Sequence, residues 1–126
     1  LFPYTTLFRS VAILEALHEA KMPLFGLTNW SAETFPYARA NYPFLQYFRD
    51  IVVSGEIKLI KPDPAIYHAS LAQVRAHLPD IQPGEVVFID DVAGNIEAAI
   101  ALGWQGIHHV SAAQTRERLI ELGVSL

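Results

Sequence analysis

The sequence contains no cysteine and no long apolar run, and each absence excludes a class of protein. Without cysteine, the chain can form neither a disulfide framework nor a thiolate metal site, which suits a reducing cytoplasm. No apolar stretch approaches the length of a membrane span, and no signal-peptide pattern stands at the start. We therefore expect a soluble, cytoplasmic protein with no membrane partner.

Positive charge is also scarce, since 9 lysines and arginines stand against 13 aspartates and glutamates, for a formal net charge of −4. Nucleic acids and anionic membranes are bound by clusters of basic residues, and the sequence has no such cluster. Neither partner is expected. With 126 residues, of which 52% are hydrophobic, the chain can bury one core but is too short for two ordinary domains.

The first ten residues lack a periodic pattern, and the chain opens on Leu1 rather than on methionine. Their sequence, LFPYTTLFRS, is similar to the translated adapter read-through that begins some open reading frames from metagenomic assemblies. We predict that residues 1–10 are a non-native or disordered leader outside the fold. An ordinary disordered terminus is the alternative.

Short apolar runs alternate with helical patterns from Val11 onward. Strand patterns cover residues 23–28, 51–54, 86–89 and 105–109. Helical patterns cover residues 11–20, 32–40, 44–48, 64–78, 92–102 and 112–122, and residues 55–62 are predicted to form a loop. This alternation predicts an α/β fold with a doubly wound parallel sheet, helices on both faces, and ligands beyond the carboxyl ends of the strands.

Polar residues follow the ends of three predicted strands: Thr28 and Asn29, then Lys61, then the adjacent Asp90 and Asp91. Because parallel strands end at one edge of a sheet, we expect these groups to converge. A hydroxyl, an amide and an ammonium group can hold phosphoryl oxygens, while paired carboxylates hold a hard cation such as Mg²⁺. Together they would form the electrostatic clamp that phosphoryl transfer requires.

Each of these positions also has a structural explanation. Thr28 and Asn29 favour a turn between a strand and a helix, and Lys61 could be a solvated lysine before a helix that begins at Pro64. One aspartate could cap the next helix, but a second beside it adds repulsion that a structural role does not need. The acidic pair is therefore the strongest indication of a metal site.

Other polar and aromatic residues lie near the predicted site. Asn95 follows Asp91 by one helical turn, where its amide can hydrogen-bond a metal-site carboxylate or its water; a surface asparagine is the alternative. His108 and His109 end a strand on opposite faces, so we do not expect them to chelate one ion. Trp30 can line the pocket entrance, or it can pack on the core.

Three segments of the chain resemble sequence motifs of a known family. They are Gly26–Asn29 (GLTN), Lys61–Tyr67 (KPDPAIY) and Phe88–Ala99 (FIDDVAGNIEAA). In order and spacing they are similar to the second, third and fourth motifs of the haloacid dehalogenase-like (HAD) hydrolase superfamily. The most similar branch is the sugar-phosphatase-like and epoxide-hydrolase N-domain-like one. The resemblance extends over nearly all of residues 11–126 and implies a three-layer, Rossmann-like core domain.

The resemblance also implies roles for the site residues. Thr28 and Asn29 would bind the transferring phosphoryl group, and Lys61 would stabilise its charge together with the nucleophile. Thr28 and Lys61 would thereby take part in catalysis. Asp91 would bind Mg²⁺ directly, and Asp90 would support the ion directly or through water.

One motif of that family is absent from this sequence. The Asp-x-Asp stretch that ends the family's first strand supplies the nucleophile and the general acid–base, whereas the acidic residues before Thr28 are only Glu15 and Glu19. The resemblance therefore implies that residues 11–126 are the C-terminal part of an incomplete core domain. That part would lack the central first strand, the nucleophile and the cap that selects the substrate. We expect exposed strand edges, weakened Mg²⁺ binding and no turnover.

The predicted function is that of a Mg²⁺-dependent phosphatase of small phosphorylated metabolites, acting through an aspartyl-phosphate in the intact parent. A 2-haloacid dehalogenase is the alternative within the family, but its ester intermediate needs no metal, which leaves the adjacent aspartates unexplained. A receiver-like signalling domain also combines an acidic pair, a hydroxyl and a lysine, but there the acidic pair comes first along the chain. A non-catalytic fragment is the third alternative.

Overall fold

A five-stranded parallel sheet forms the centre of the fold in a computed structural model of the chain, which describes residues 2–4, 11–28, 33, 35–57, 61, 63–124 and 126. The strands are β1 (Phe2–Tyr4), β2 (Leu24–Thr28), β3 (Asp50–Val53), β4 (Val87–Asp90) and β5 (Gln105–His108). The helices are α1 (Val11–Glu19), α2 (Phe35–Asn41), α3 (Ser54–Ile57), α4 (Pro64–His77), α5 (Ala93–Ala101) and α6 (Ala112–Glu121). Short 3₁₀ turns at Pro43–Tyr47 and Pro83–Glu85 precede β3 and β4.

The strands lie in the order β3-β2-β1-β4-β5, and neighbouring strands are parallel. Two apolar cores lie on opposite faces of the sheet, one with residues of α1 and α6 and the other with residues of α4 and α5. Successive strand residues alternate between these cores, since Val87 and Ile89 lie in the first and Phe88 in the second. The predicted three-layer, doubly wound α/β fold is therefore confirmed.

The structure differs from the sequence prediction at the first strand. The sequence predicts a leader outside the fold over residues 1–10, yet Phe2–Tyr4 forms β1 between β2 and β4. Phe2–Tyr4 pairs in register with residues 24–26, and Tyr4 also pairs with Ile89. An empty position there would leave the facing edges of β2 and β4 without hydrogen-bond partners. Phe2–Tyr4 fills this position, with three residue pairs to β2 and one to β4. That residues 1–10 are non-native stays a prediction.

The predicted loop over residues 55–62 begins instead as a helical turn, because α3 starts directly after β3. Gly55 marks the end of the strand pattern, but glycine also adopts helical dihedral angles, and no proline interrupts residues 54–57. The other predicted elements differ from the observed ones by one to three residues at their ends, with the difference of three at the start of α2. Within the described part of the chain, no helix has the length and apolar character needed to cross a membrane.

Helix α4 begins where the sequence predicts it. The Asp63 carboxylate accepts a hydrogen bond of 2.9 Å from the Ala65 N–H, and Pro64 occupies the first turn. This cap fixes the start of the helix just after Lys61. The lysine thereby reaches the edge of the sheet at which β4 ends.

Gly106 lies where β5 passes close to α5. A methyl group added there would lie 2.8 Å from Ile96 Cγ2 and 3.0 Å from Ile100 Cγ1, so these side chains or the backbone that carries them would have to shift. We therefore expect Gly106→Ala to lower the free energy of unfolding by about 1–3 kcal/mol. Urea unfolding followed by circular dichroism measures the change. Gly84→Ala is the control, because nothing lies within 4 Å of a methyl group at that position. Equal stability of the two variants would contradict this packing.

Candidate active site

The end of β4 carries two adjacent carboxylates in different environments. Every residue of β4 is buried, and its last residue, Asp90, is only 2% exposed. Asp91 follows the strand and is exposed to solvent. Helix α5 then begins at Ala93. The fold thus buries one member of the acidic pair and exposes the other.

Asp90 accepts hydrogen bonds from an amine, an amide and a backbone N–H. Lys61 Nζ lies 2.9 Å and Asn95 Nδ2 lies 3.0 Å from its Oδ2 atom. The Val92 N–H donates to its Oδ1 atom at 3.0 Å. Because the Lys61 and Asp90 side chains are only 6% and 3% exposed, their ion pair is shielded from water. Charge-assisted hydrogen bonds in such a site hold both groups in one geometry.

Burial and charge act in opposite directions on the pKa of Asp90. Burial raises this pKa, but the positive charge of Lys61 and the hydrogen bonds from Lys61, Val92 and Asn95 together bring it below its usual value. Burial lowers the pKa of Lys61, and the negative charges of Asp90 and Asp91 offset part of that effect. Asp90 is therefore an ionised carboxylate at neutral pH, with the Lys61 amine beside it.

Aromatic side chains support this pair. Lys61 Nζ lies 5.8 Å from the centroid of the Phe88 ring, within range of a cation–π interaction. The hydroxyl of buried Tyr67 donates a hydrogen bond of 2.8 Å to the backbone carbonyl of Asn95. Tyr67 also packs edge-to-face against Phe88 and Trp104. These contacts join α4 to the first turn of α5 and fix the position of the Asn95 amide.

The two histidines at the end of β5 point in different directions. His109 is buried, and its Nδ1 atom is hydrogen-bonded to Thr115 Oγ1 of α6. His108 is exposed, and its Nε2 atom lies 2.9 Å from the backbone oxygen of Asp91. The fold therefore separates the two rings, as strand alternation predicts.

The structure brings Lys61, Asp90 and Asn95 into direct contact. The spacing of four residues places Asn95 one helical turn after Asp91, but its amide donates a hydrogen bond to Asp90. The chain turns between β4 and α5 and leaves Asp91 exposed. The sequence patterns predict no role for Tyr67. The available signal was a tyrosine within a buried helical stripe, since a buried tyrosine hydroxyl usually needs a partner.

The remaining predicted residues lie at the end of β2. The backbone of Thr28 pairs with Val53, the last residue of β3. Since β2 and β4 are parallel members of one sheet, Thr28 and Asp90 end their strands at the same edge. The Thr28 side chain, Asn29 and Trp30 lie outside the part of the chain that the structure describes.

The exposed carboxylate of Asp91 suits a hard cation. Among the described residues, no group of three or more histidine, aspartate and glutamate side chains could hold a metal ion. Mg²⁺ usually keeps several water ligands and binds proteins through one or two carboxylates together with substrate phosphates. Asp91, with Asp90 beside it, therefore fits Mg²⁺ coordinated largely by water and phosphate oxygens.

Comparison with known proteins gives a consistent set of relatives. Residues 5–108 match the family model described as haloacid dehalogenase-like hydrolase. The chain is 28% identical over 114 residues to the sesquiterpene phosphatase astK of Aspergillus oryzae, which covers 90% of this chain and 56% of that protein. It is 36% identical over 73 residues to bifunctional epoxide hydrolase 2 of Mus musculus, which covers 57% of this chain and 12% of that protein.

A similar solved structure is that of a HAD family enzyme from Bacteroides thetaiotaomicron, crystallised as a complex with magnesium and inorganic phosphate. It superposes with a TM-score of 0.65 at 28% identity, covering 80% of this chain and 52% of that one. The chain thus spans about half of this enzyme's length, 56% of the sesquiterpene phosphatase and 12% of the epoxide hydrolase. Because the family match extends over most of the chain and the fold agrees with it, the chain belongs to the haloacid dehalogenase-like hydrolases, an enzyme family.

Proposed function

We propose that this chain supplies the phosphate-binding and metal-binding part of a Mg²⁺-dependent phosphatase of small phosphorylated metabolites. In the intact parent the reaction would pass through an aspartyl-phosphate. The observation that carries this proposal is the buried ion pair of Lys61 and Asp90 directly beside the exposed carboxylate of Asp91. A fixed amine next to a solvent-accessible oxygen ligand is suited to a phosphoryl group and its counter-ion.

Each residue has a role in this proposal. Lys61 stabilises the negative charge of the phosphoryl oxygens, and Thr28 and Asn29 bind that group from the end of β2. Asp91 holds Mg²⁺ directly, and Asp90 supports it through water while keeping Lys61 in place. When bound, Mg²⁺ neutralises charge on the phosphoryl oxygens.

Two relatives support this choice within the family. The Bacteroides enzyme was crystallised with magnesium and inorganic phosphate, and the Aspergillus relative is a phosphatase. Phosphate chemistry is therefore favoured over dehalogenation, which has no need of a cation ligand. A cytoplasmic location and the absence of nucleic-acid and membrane partners stay predictions from the sequence.

We propose further that the chain does not itself turn over substrate. The central strand, β1, consists of phenylalanine, proline and tyrosine, and the first aspartate of the sequence is Asp50. The only acids before Thr28, Glu15 and Glu19, are exposed on α1. The described residues thus supply no carboxylate nucleophile beside the Lys61 amine other than the acidic pair itself.

Incubation of the 126-residue chain with p-nitrophenyl phosphate tests this proposal. We expect no release of nitrophenolate above the buffer rate, with or without Mg²⁺. Mg²⁺-dependent hydrolysis that Asp91→Ala abolishes would show that the missing nucleophile is not needed. Chloride release from chloroacetate without Mg²⁺ would instead favour the dehalogenase.

A further inference from the structure

We propose that His108 is a positioning residue for Asp91, holding the backbone of the metal-binding aspartate by a hydrogen bond from its Nε2–H. The effect on metal binding rests on the proposed function. The hydrogen bond itself does not. His108 is an exposed histidine that lies opposite Asp90, a predicted metal-site residue, on the neighbouring strand.

The sheet brings His108 to this place. In the pairing of β4 with β5, Asp90 is the partner of His108. The backbone N–H of His109 then donates to the Asp90 carbonyl at 2.8 Å, so the two strands stay paired to the last residue of β4. In this register the His108 ring lies beside the residue that follows Asp90, and its Nε2 atom lies 2.9 Å from the Asp91 carbonyl oxygen.

In the part of the chain that the structure describes, the Asp91 carbonyl takes part in the backbone hydrogen bonds of neither β4 nor α5. The last strand bond ends on the Asp90 carbonyl, and the first bonds of α5 run from Asn95 and Ile96 to the Val92 carbonyl. The Asp91 carbonyl lies between these two sets of bonds. Within the described residues its hydrogen bond comes from His108. Holding that carbonyl limits rotation of the peptide and therefore restricts where the Asp91 side chain can lie.

The partner also fixes the tautomer of His108. A carbonyl oxygen can only accept a hydrogen bond, so the Nε2 atom must carry the hydrogen, and the neutral ring leaves Nδ1 without one. His109 offers no substitute, because its ring is buried against Thr115. The prediction therefore applies to one histidine, one ring nitrogen and one carbonyl.

Three substitutions at position 108 test the positioning role. Glutamine can place an amide N–H about where Nε2 lies, whereas asparagine reaches only about as far as Nδ1, and alanine has no donor. Outer contacts of this kind typically change metal affinity by about 10–100-fold. We expect His108→Ala and His108→Asn to weaken Mg²⁺ binding about tenfold by isothermal titration calorimetry, and His108→Gln to stay within about twofold of wild type.

A readout without metal separates this proposal from the proposed function. NMR of the metal-free chain reports whether a ring N–H is protected from exchange with water, and we expect a protected Nε2–H signal for His108 bonded to the Asp91 carbonyl. An Nε2–H that exchanges with water as fast as that of a free imidazole, or equal Mg²⁺ affinity in wild type and all three variants, would overturn the positioning role. If wild type binds no Mg²⁺ while the Nε2–H of His108 is protected from exchange, the proposed function fails and the hydrogen bond stands.

Discussion

Replacing Lys61 by methionine is expected to lower the free energy of unfolding by about 3–5 kcal/mol. Methionine keeps much of the apolar stem but removes the charge, which leaves the Asp90 carboxylate buried without the cation that lies 2.9 Å away. Such a loss is large beside the total stability of about 5–15 kcal/mol that is typical of folded domains. Urea unfolding at neutral pH, followed by circular dichroism, measures it.

A double-mutant cycle supplies the matched control. Asp90→Asn alone leaves the Lys61 amine buried without the carboxylate and is expected to be destabilised to a similar extent. The double variant buries neither charge, so it should be more stable than the sum of the two single losses predicts, by at least about 1.5 kcal/mol. Single variants that unfold within about 1 kcal/mol of wild type would contradict a buried ion pair.

Lowering the pH should remove the stabilisation that the ion pair of Lys61 and Asp90 contributes to the fold. Because the pKa of Asp90 is lower in the folded chain than its usual value, the ionised carboxylate stabilises the fold above the usual carboxyl pKa. That contribution is lost as the pH falls through the folded-state pKa. Wild type should therefore lose stability more steeply in acid than Asp90→Asn does, and equal slopes would count against the ion pair.

Asp91→Asn is expected to weaken Mg²⁺ binding and to leave the free energy of unfolding almost unchanged. Asp91 is exposed, and no described residue hydrogen-bonds its carboxylate, so the free energy of unfolding should change by less than about 0.5 kcal/mol. Mg²⁺ binding, measured by isothermal titration calorimetry, should weaken at least about tenfold. Removing a direct ligand should lower the metal affinity at least as much as removing a hydrogen bond to that ligand does. Glu97→Gln removes one negative charge from an exposed position of α5 and is the control. Equal weakening in both variants would show only a general charge effect.

The contrast between Asp90 and Asp91 shows what the sequence could and could not predict. The apolar run before them predicts a buried strand, and the end of that strand predicts a ligand site. Which carboxylate is buried depends on the partner of Asp90, and Lys61 lies 29 residues away along the chain. Local spacing carries no information about such a contact, so the sequence predicts that Asn95 hydrogen-bonds a metal-site carboxylate but not that this carboxylate is Asp90.

The position of β1 within the sheet is the other feature that local sequence patterns do not predict. The tripeptide Phe2–Tyr4 is too short for strand alternation to be recognised, and its place between β2 and β4 comes only from backbone pairing with both. The His108 contact with Asp91 likewise follows from the register of β5 against β4. By contrast, the start of α4 at Pro64 and the two-faced sheet follow from local sequence and are predicted by it.

Phosphorus-31 NMR of inorganic phosphate, with Mg²⁺ added stepwise to the chain, tests the central claim most directly. If Lys61 and Asp91 bring a phosphate and Mg²⁺ to one site, the phosphate signal should shift or broaden with saturation in wild type, and Asp91→Asn should remove the part that depends on Mg²⁺. An identical response in Asp91→Asn, or no saturable response in wild type, would contradict a joint phosphate and magnesium site at the end of β4.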